Sequence, residues 1–324
     1  MSVKRAISIS LFALVAGAGV AAAQEKYPAK PVHLISPGSP GTILDVLARM
    51  YAEKLAQRLG QPVVVENRPG AGGTIASQIV AKAKPDGYTI QIVNNAHAIN
   101  ATLYSSLPYD TLRDFAGVSL VANSPAVVAI HPGLGVRTLP ELIALAKQRP
   151  GTLNFGSGGV GTATHIAGEY FASQAGIEMV HVPYKVAAEV NTDLITGRIQ
   201  ASFAPIGFHL AQVRDGRLRA LAVTSSQRAS ILPDVPTVQE AAGLAGFEYG
   251  TWYGLIAPAQ TPRPILEQLA RELRQVTELT EIKDRMAAQG IFARTSALRD
   301  FDTYIRAEID KLGRIVKATG AKAN

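Results

Sequence analysis

Cysteine is absent from the 324-residue sequence, and aromatic residues make up only 6% of it. The lack of cysteine excludes disulfides, thiol catalysis, thiolate metal sites and attachment of a lipid to an N-terminal cysteine. The formal net charge is +7, but no dense run of lysine and arginine contains interleaved aromatic residues, so we expect no nucleic-acid partner. The six histidines form no H-E-x-x-H pattern, and no G-x-S-x-G elbow occurs. We therefore expect no metal, no cofactor and no enzymatic activity.

Long apolar runs are also missing, except near the start of the chain. Lys4 and Arg5 precede the apolar run 6–23, which ends in three alanines. A basic start, a short apolar run and small residues at its end are typical of a secretory signal peptide. We predict that residues 1–23 are such a signal peptide; the alternative is an uncleaved anchor helix. No later segment is long and apolar enough to span a bilayer.

The stretch from His33 to Met50 combines a strand, a Pro/Gly loop and a helix. Residues 37–41 cannot continue the strand, and apolar residues from Ile43 onward recur at helical spacing. Such a loop places backbone N–H groups at the positive end of a helix dipole, which favours an anion; a plain strand-to-helix turn is the alternative. Asp45 either caps the helix or meets a ligand amine. The candidate ligand-binding residues here are Ser39, Pro40, Gly41, Thr42 and Asp45.

A similar Gly-rich loop, residues 156–162, follows another predicted strand and opens another helix. Its G-x-G-x-x-G spacing also fits a dinucleotide loop, but nicotinamide cofactors are scarce outside the cell, so we favour an anion site. Its candidate ligand-binding residues are Ser157, Gly161 and Thr162, and His165 either faces the same cleft or packs.

Further candidates stand at the carboxyl ends of two predicted strands. Asn94, Asn95 and His97 follow one strand and could donate hydrogen bonds, or form a polar turn; Ala204 and Pro205 end another. Lys185 could supply a positive charge, but a solvated or ion-paired side chain is the preferred interpretation.

Strands and helices alternate along the chain, which predicts an α/β fold with mostly parallel sheets flanked by helices. Apolar segments near residues 124 and 247 are predicted to cross between two lobes. We expect one lobe from 24–123 with 248–324 and the other from 124–247. Two crossings allow the lobes to close around a ligand by a hinge motion. Everything after Thr261 is expected to be helical, with one helix starting at Ser296.

Several motifs, in order along the chain, resemble one known family. The segments are 61–73 (QPVVVENRPGAGG), 85–89 (PDGYT), 107–110 (LPYD), 159–165 (GVGTATH), 181–185 (HVPYK), 216–224 (GRLRALAVT), 233–237 (PDVPT) and 252–255 (WYGL). On these segments the sequence is similar to the solute-binding receptors of tripartite tricarboxylate transporters, the Bug family.

The resemblance implies a two-lobe periplasmic binding protein of type II. It implies a receptor, expected to be monomeric, that closes on a small carboxylate in the periplasm and delivers it to membrane permease subunits. In such receptors the first loop and the Gly-Thr loop of the other lobe face each other across the cleft.

The first loop departs from the family pattern, because Gly38, Ser39, Thr42 and Leu44 replace a Phe, a Pro, a Gly and a Thr. Leu44 adds apolar surface, which favours a less polar carboxylate, such as an aromatic one. Two other functions remain open: a receptor that docks a membrane sensor, and an exported hydrolase using Ser157, for which no base or orienting acid is evident in the sequence.

Overall fold

The computed structural model describes residues 27–320. The predicted signal peptide, residues 1–23, lies outside them. The strands are β1 (Val32–Ser36), β2 (Val63–Asn67), β3 (Thr89–Asn94), β4 (Phe115–Ile130), β5 (Asn154–Ser157), β6 (Val180–Pro183), β7 (Ala201–Pro205), β8 (Arg219–Val223), β9 (Gly250–Pro258) and β10 (Phe292–Ala297). The helices are α1 (Ile43–Leu59), α2 (Thr74–Ala81), α3 (Asn95–Leu103), α4 (Leu139–Gln148), α5 (Ala163–Ala175), α6 (Ala187–Ile195), α7 (Ile206–Arg214), α8 (Val238–Ala242), α9 (Arg263–Glu278), α10 (Thr280–Ala287) and α11 (Arg299–Thr319), with 3₁₀ turns at Ala71–Gly73 and Pro132–Leu134.

The strands form one curled sheet in the order β2-β1-β3-β9-β4-β7-β5-β6, with β8 and β10 also paired to β4. Strands β1, β2 and β3 run parallel, as do β5, β6 and β7. The return strand β9 is antiparallel to β3 and β4. The predicted α/β class is therefore confirmed, and the antiparallel β4, β8, β9 and β10 make the sheet mixed.

Strand β4 belongs to two groups of strands. Its residues 115–125 pair with β9, whereas residues 126–130 pair with β7 and largely with β8. We call β2, β1, β3, β9, β10 and the start of β4 the first half, and β5 to β8 with the end of β4 the second half. Helix α11 packs on α3 and β4 and also reaches α5 of the second half. The domain boundaries given above stay a prediction.

Local sequence explains how α1 is placed. Leu47, Tyr51 and Leu55 are completely buried against the sheet, and they lie four residues apart, so they share one face of the helix. Gly60 then ends the helix with φ 69°, a left-handed conformation that glycine adopts without strain.

Three elements were not predicted from the sequence. Helix α3 starts at Asn95, where a polar turn was considered, and residues 95–100 are all buried, so the segment lacks the amphipathic pattern that marks a helix. Helix α7 directly follows Pro205. The C-terminal part is not all helical, because β10 pairs with β4 and places Ser296 within a strand.

None of the helices within residues 27–320 is long and apolar enough to cross a membrane. In the same residues no three side chains of His, Asp or Glu are grouped so that they could hold a metal ion.

Candidate functional site

A cavity of about 780 Å³ lies between the two halves. Residues that follow the carboxyl ends of β1 and β3 line it from the first half, and those of β5, β6 and β7 line it from the second half. Loops at the carboxyl ends of parallel strands are the usual ligand-binding edge of an α/β sheet. The cavity is therefore the candidate functional site.

The loop after β1 is held by Asp45, which is 4% exposed. Its carboxylate accepts hydrogen bonds from the Gly41 N–H (2.9 Å), Asn67 Nδ2 (2.9 Å) and Arg49 Nε (2.9 Å). Burial alone would raise the pKa of Asp45, but these three partners outweigh burial and lower it. Thr42 does not cap the helix, because its hydroxyl donates to the Ser39 carbonyl (2.8 Å). Asp45 therefore shapes the loop.

The loop after β5 satisfies most of its own amides. The N–H groups of Gly158, Gly159 and Gly161 donate to Thr164 Oγ1 (3.2 Å), Ser157 Oγ (3.1 Å) and His165 Nδ1 (3.3 Å). Within the described residues, these three amides are therefore bound by the protein itself, and the anion site expected at this loop stays a prediction. Ser157 of the loop and Thr164 and His165 of α5 thus hold the loop in shape.

Free backbone donors remain at the starts of α1 and α5. The first N–H groups of an α-helix have no partner within the helix. Ile43 and Leu44 of α1, and Ala163 and Thr164 of α5, line the cavity from opposite halves. Two positive helix ends thus face one space, and both favour a negative charge there.

The charge of the lining has one sign. Among the described residues that form it, Lys185 alone carries a formal charge, and none is a carboxylate. Lys185 is exposed, and no salt bridge to it is present within residues 27–320. Of the two forms in the preferred sequence interpretation, the described residues show the solvated side chain and not the ion-paired one.

Ser157 has a neighbour that sequence reasoning missed. His181 Nε2 lies 2.5 Å from Ser157 Oγ, and the ring of His165 stacks on His181 with centroids 3.9 Å apart. Burial, and then His165, lower the pKa of His181 to about 3, so it is a weak general base near neutral pH. Glu169 lies near His165 Nε2 (3.6 Å), one ring away from His181. This pair stabilises the loop and gives little support to a hydrolase.

Comparison with known proteins decides the family. Residues 47–321 match the family model described as tripartite tricarboxylate transporter family receptor. The chain is 35% identical over 316 residues to protein BugT of Bordetella pertussis, covering 97% of both chains. The chain belongs to the tripartite tricarboxylate transporter receptor family.

Solved structures agree with this family. The structure of R. palustris Rpa4515 with adipate has a TM-score of 0.87 and 31% identity, covering 91% of this chain and 99% of that one. MatC from Rhodopseudomonas palustris with bound malate has a TM-score of 0.83 and 27% identity, covering 90% and 100%. The predicted periplasmic-binding-protein fold and the Bug-family resemblance are confirmed.

The receptor's cavity includes part of the predicted site. The predicted residues that line it are Ser39, Thr42, Asn94, His97, Ser157, Thr162, Ala204 and Pro205. The predicted residues outside the lining are Pro40, Gly41, Asp45, Asn95, Gly161 and His165.

The residues outside the lining have structural contacts instead. Asn95 Nδ2 donates to the Gly250 carbonyl (2.8 Å), and its Oδ1 accepts from the Trp252 N–H (2.9 Å), so it fixes the start of β9. His165 is 5% exposed and packs on His181, and Gly161 lies against Leu103 of the other half. Pro40 and Gly41 form the outer turn of the Asp45 loop.

Sequence reasoning also missed part of the receptor's lining. Ser77, Gln91, Asn100, Tyr184 and Tyr253 line the cavity. Gln91 could have been identified from the sequence, because it is a polar residue at the centre of an apolar strand, where a buried amide needs hydrogen-bond partners.

Two buried histidines, His97 and His209, and the half-buried His181 make the receptor sensitive to acid. Burial lowers the pKa of His97 to about 4 and that of His209 to about 3, and His181 is likewise at about 3. Below about pH 6.5 the unfolded chain binds protons that the folded chain does not, so stability falls as pH falls. Between pH 7 and 5 we expect a loss on the order of 1–2 kcal/mol per histidine in the free energy of unfolding.

Urea unfolding at pH 7, 6 and 5 measures this loss. His209 is fully buried between Asn191 Oδ1 (2.7 Å) and Ser202 Oγ (2.9 Å), so His209→Gln should remove about one third of the pH dependence. The same free energy of unfolding at pH 7 and 5 would contradict the prediction.

Proposed function

We propose that this protein is a periplasmic receptor that closes around a small organic carboxylate and delivers it to a membrane transporter of the tripartite tricarboxylate type. The observation that carries the proposal is the cavity itself. The starts of α1 and α5 face it from opposite halves, Lys185 is the charged side chain of its described lining, and no carboxylate opposes a bound anion.

The related structures support the same ligand class. Adipate in Rpa4515 and malate in MatC are both carboxylates. In this chain Leu44 lines the cavity, together with Val93, Tyr104 and Phe208, so the body of the ligand is less polar than its acidic end. An aromatic carboxylate is one such ligand with a less polar body.

The proposal includes a hinge motion that closes two lobes. Residues 24–123 with 248–324 form one lobe, and residues 124–247 form the other. Ser124 Oγ donates to the Gly290 carbonyl (2.8 Å), which ties the crossing to the first half. Both sides of the cavity come from one chain, so a monomer is sufficient to bind.

A carboxylate panel tests the proposal. At least one mono-, di- or aromatic carboxylate is expected to raise the melting temperature of the purified chain and to bind with micromolar affinity, about −8 kcal/mol. Emission of Trp252, the single tryptophan, should change on binding. Its ring packs against Phe301 and Tyr304 beside the crossing, so it would report movement of β9 rather than ligand contact.

Lys185→Met tests whether the charge of the cavity lining contributes to carboxylate binding. It should weaken binding about two- to fivefold at low salt, because an exposed charge contributes modestly and is screened. Lys147→Met, an exposed position on α4, is the control and should change nothing. If no carboxylate in the panel binds, the proposed function is wrong.

A further inference from the structure

The cavity has a deep polar end in the first half. Four side chains form it: Ser77 of α2, Gln91 of β3, and His97 and Asn100 of α3. All four are at most 4% exposed. We call these four residues the deep pocket.

The deep pocket contains acceptors without donors. Asn100 Nδ2 donates to the Gly72 carbonyl (3.0 Å), which fixes the amide orientation, and Asn100 Oδ1 has no hydrogen-bond partner among residues 27–320. Gln91 Nε2 donates to Ser77 Oγ (3.1 Å), and Gln91 Oε1 is likewise unpartnered within the described chain. A buried acceptor without a donor costs stability, so a donor from a ligand or from water is expected to reach it.

The deep pocket is also neutral. Neither ring nitrogen of His97 has a partner in the described part of the chain. Because burial lowers the pKa of His97 to about 4, its ring offers one N–H donor and one bare nitrogen. Tyr109, which does not line the cavity, places its hydroxyl behind it, beside Ser77 and Asn100. The formal positive charge of the described lining is on Lys185, which belongs to the second half.

We propose that the solute is a monocarboxylate whose far end carries a neutral hydroxyl group, received by the deep pocket. This inference rests on the proposed carboxylate receptor. A hydroxyl can donate to Asn100 Oδ1 or Gln91 Oε1 and accept from the His97 N–H. A second carboxylate would face two carbonyl oxygens without a cation, and an ammonium group would lack a counter-charge; both are costly to bury.

A matched ligand series tests the inference. The probes are straight-chain monocarboxylates of four to eight carbons, their ω-hydroxy counterparts and the dicarboxylates of equal length, measured by calorimetry on the whole chain. At the best-fitting length, the ω-hydroxy acid should bind about tenfold tighter than the plain acid and at least about tenfold tighter than the dicarboxylate.

Two variants test whether the deep pocket causes the tighter binding of the ω-hydroxy acid. Gln91→Met removes one acceptor at nearly constant volume and should reduce the advantage of the hydroxyl to about twofold, with little change for the plain acid. Asn100→Leu is a second variant with the same expected result. Gln174→Met, exposed on α5, is the control and should keep the tenfold advantage.

Each result separates this inference from the proposed function. Equal affinity for plain and hydroxylated acids would mean that water alone fills the deep pocket, and this overturns the inference while carboxylate binding stands. Tighter binding of the dicarboxylate at every length would also overturn it. If no acid of the three series and no carboxylate of the wider panel binds, the proposed function as a carboxylate receptor is wrong as well.

Discussion

Replacing Gly72 with asparagine is expected to weaken carboxylate binding at least about a hundredfold, because the closed arrangement is lost and apparent affinity falls with the closed fraction. Gly72 lies in the first half, yet a Cβ at this position would lie 3.2 Å from the Val160 carbonyl oxygen and 3.4 Å from the Gly161 carbonyl carbon, both in the second half. These are backbone atoms, so a Cβ alone requires a shift of a few tenths of an ångström between the halves, and the rest of the asparagine side chain is expected to push them further apart.

Asparagine is chosen because Gly72 has φ 61°, a conformation that asparagine tolerates better than other side chains. The matched control is Gly60→Asn, at φ 69° with no atom within 4 Å of the added Cβ. Calorimetry with the best carboxylate of the panel and small-angle scattering measure the result. The two variants should have similar free energies of unfolding, but Gly72→Asn alone should be more open. Equal affinity in the two variants would refute closure through this contact.

Replacing Gly254 with alanine is expected to cost about 3 kcal/mol or more of stability, because a well-packed interior has no room for an added methyl group. Gly254 lies at the centre of β9, and an added Cβ would overlap the Phe301 ring of α11 and lie 2.9 Å from the Ser119 carbonyl oxygen. Phe301 is completely buried, so it cannot move aside without shifting α11.

Gly250→Ala, on the same strand, is the control. Its added Cβ would lie 3.6 Å from the Ser124 carbonyl oxygen, an ordinary contact distance, so stability should change by less than about 1 kcal/mol. Urea unfolding followed by circular dichroism compares the two variants. Similar unfolding midpoints for both would show that α11 adapts to the added methyl group.

Local patterns predicted the parts of the fold that depend on neighbours in sequence. The strand, loop and helix of 32–59 were predicted because apolar spacing and Gly60 mark their limits directly. The C-terminal helix start was misplaced, because β10 is defined by its pairing with β4 rather than by its own sequence. Helix α3 was missed because burial on all sides removes the amphipathic pattern.

The candidate site shows the same limit. The Gly-rich loops were identified from sequence, and Ser157 and Thr162 line the cavity as expected. The approach of His181 to Ser157 depends on the parallel register of β5 and β6, which is set by the whole sheet. The internal bonds of the Gly158–Gly161 amides could not be predicted either, because they require the folded positions of Thr164 and His165.

The first half is assembled from both ends of the chain, since β1, β2 and β3 come early whereas β9, β10 and α11 come last. During synthesis the second half is therefore complete while the first still waits for its final strands. A chain that stops before residue 250 would leave one edge of β3 and the start of β4 unpaired, and exposed strand edges of this kind promote aggregation.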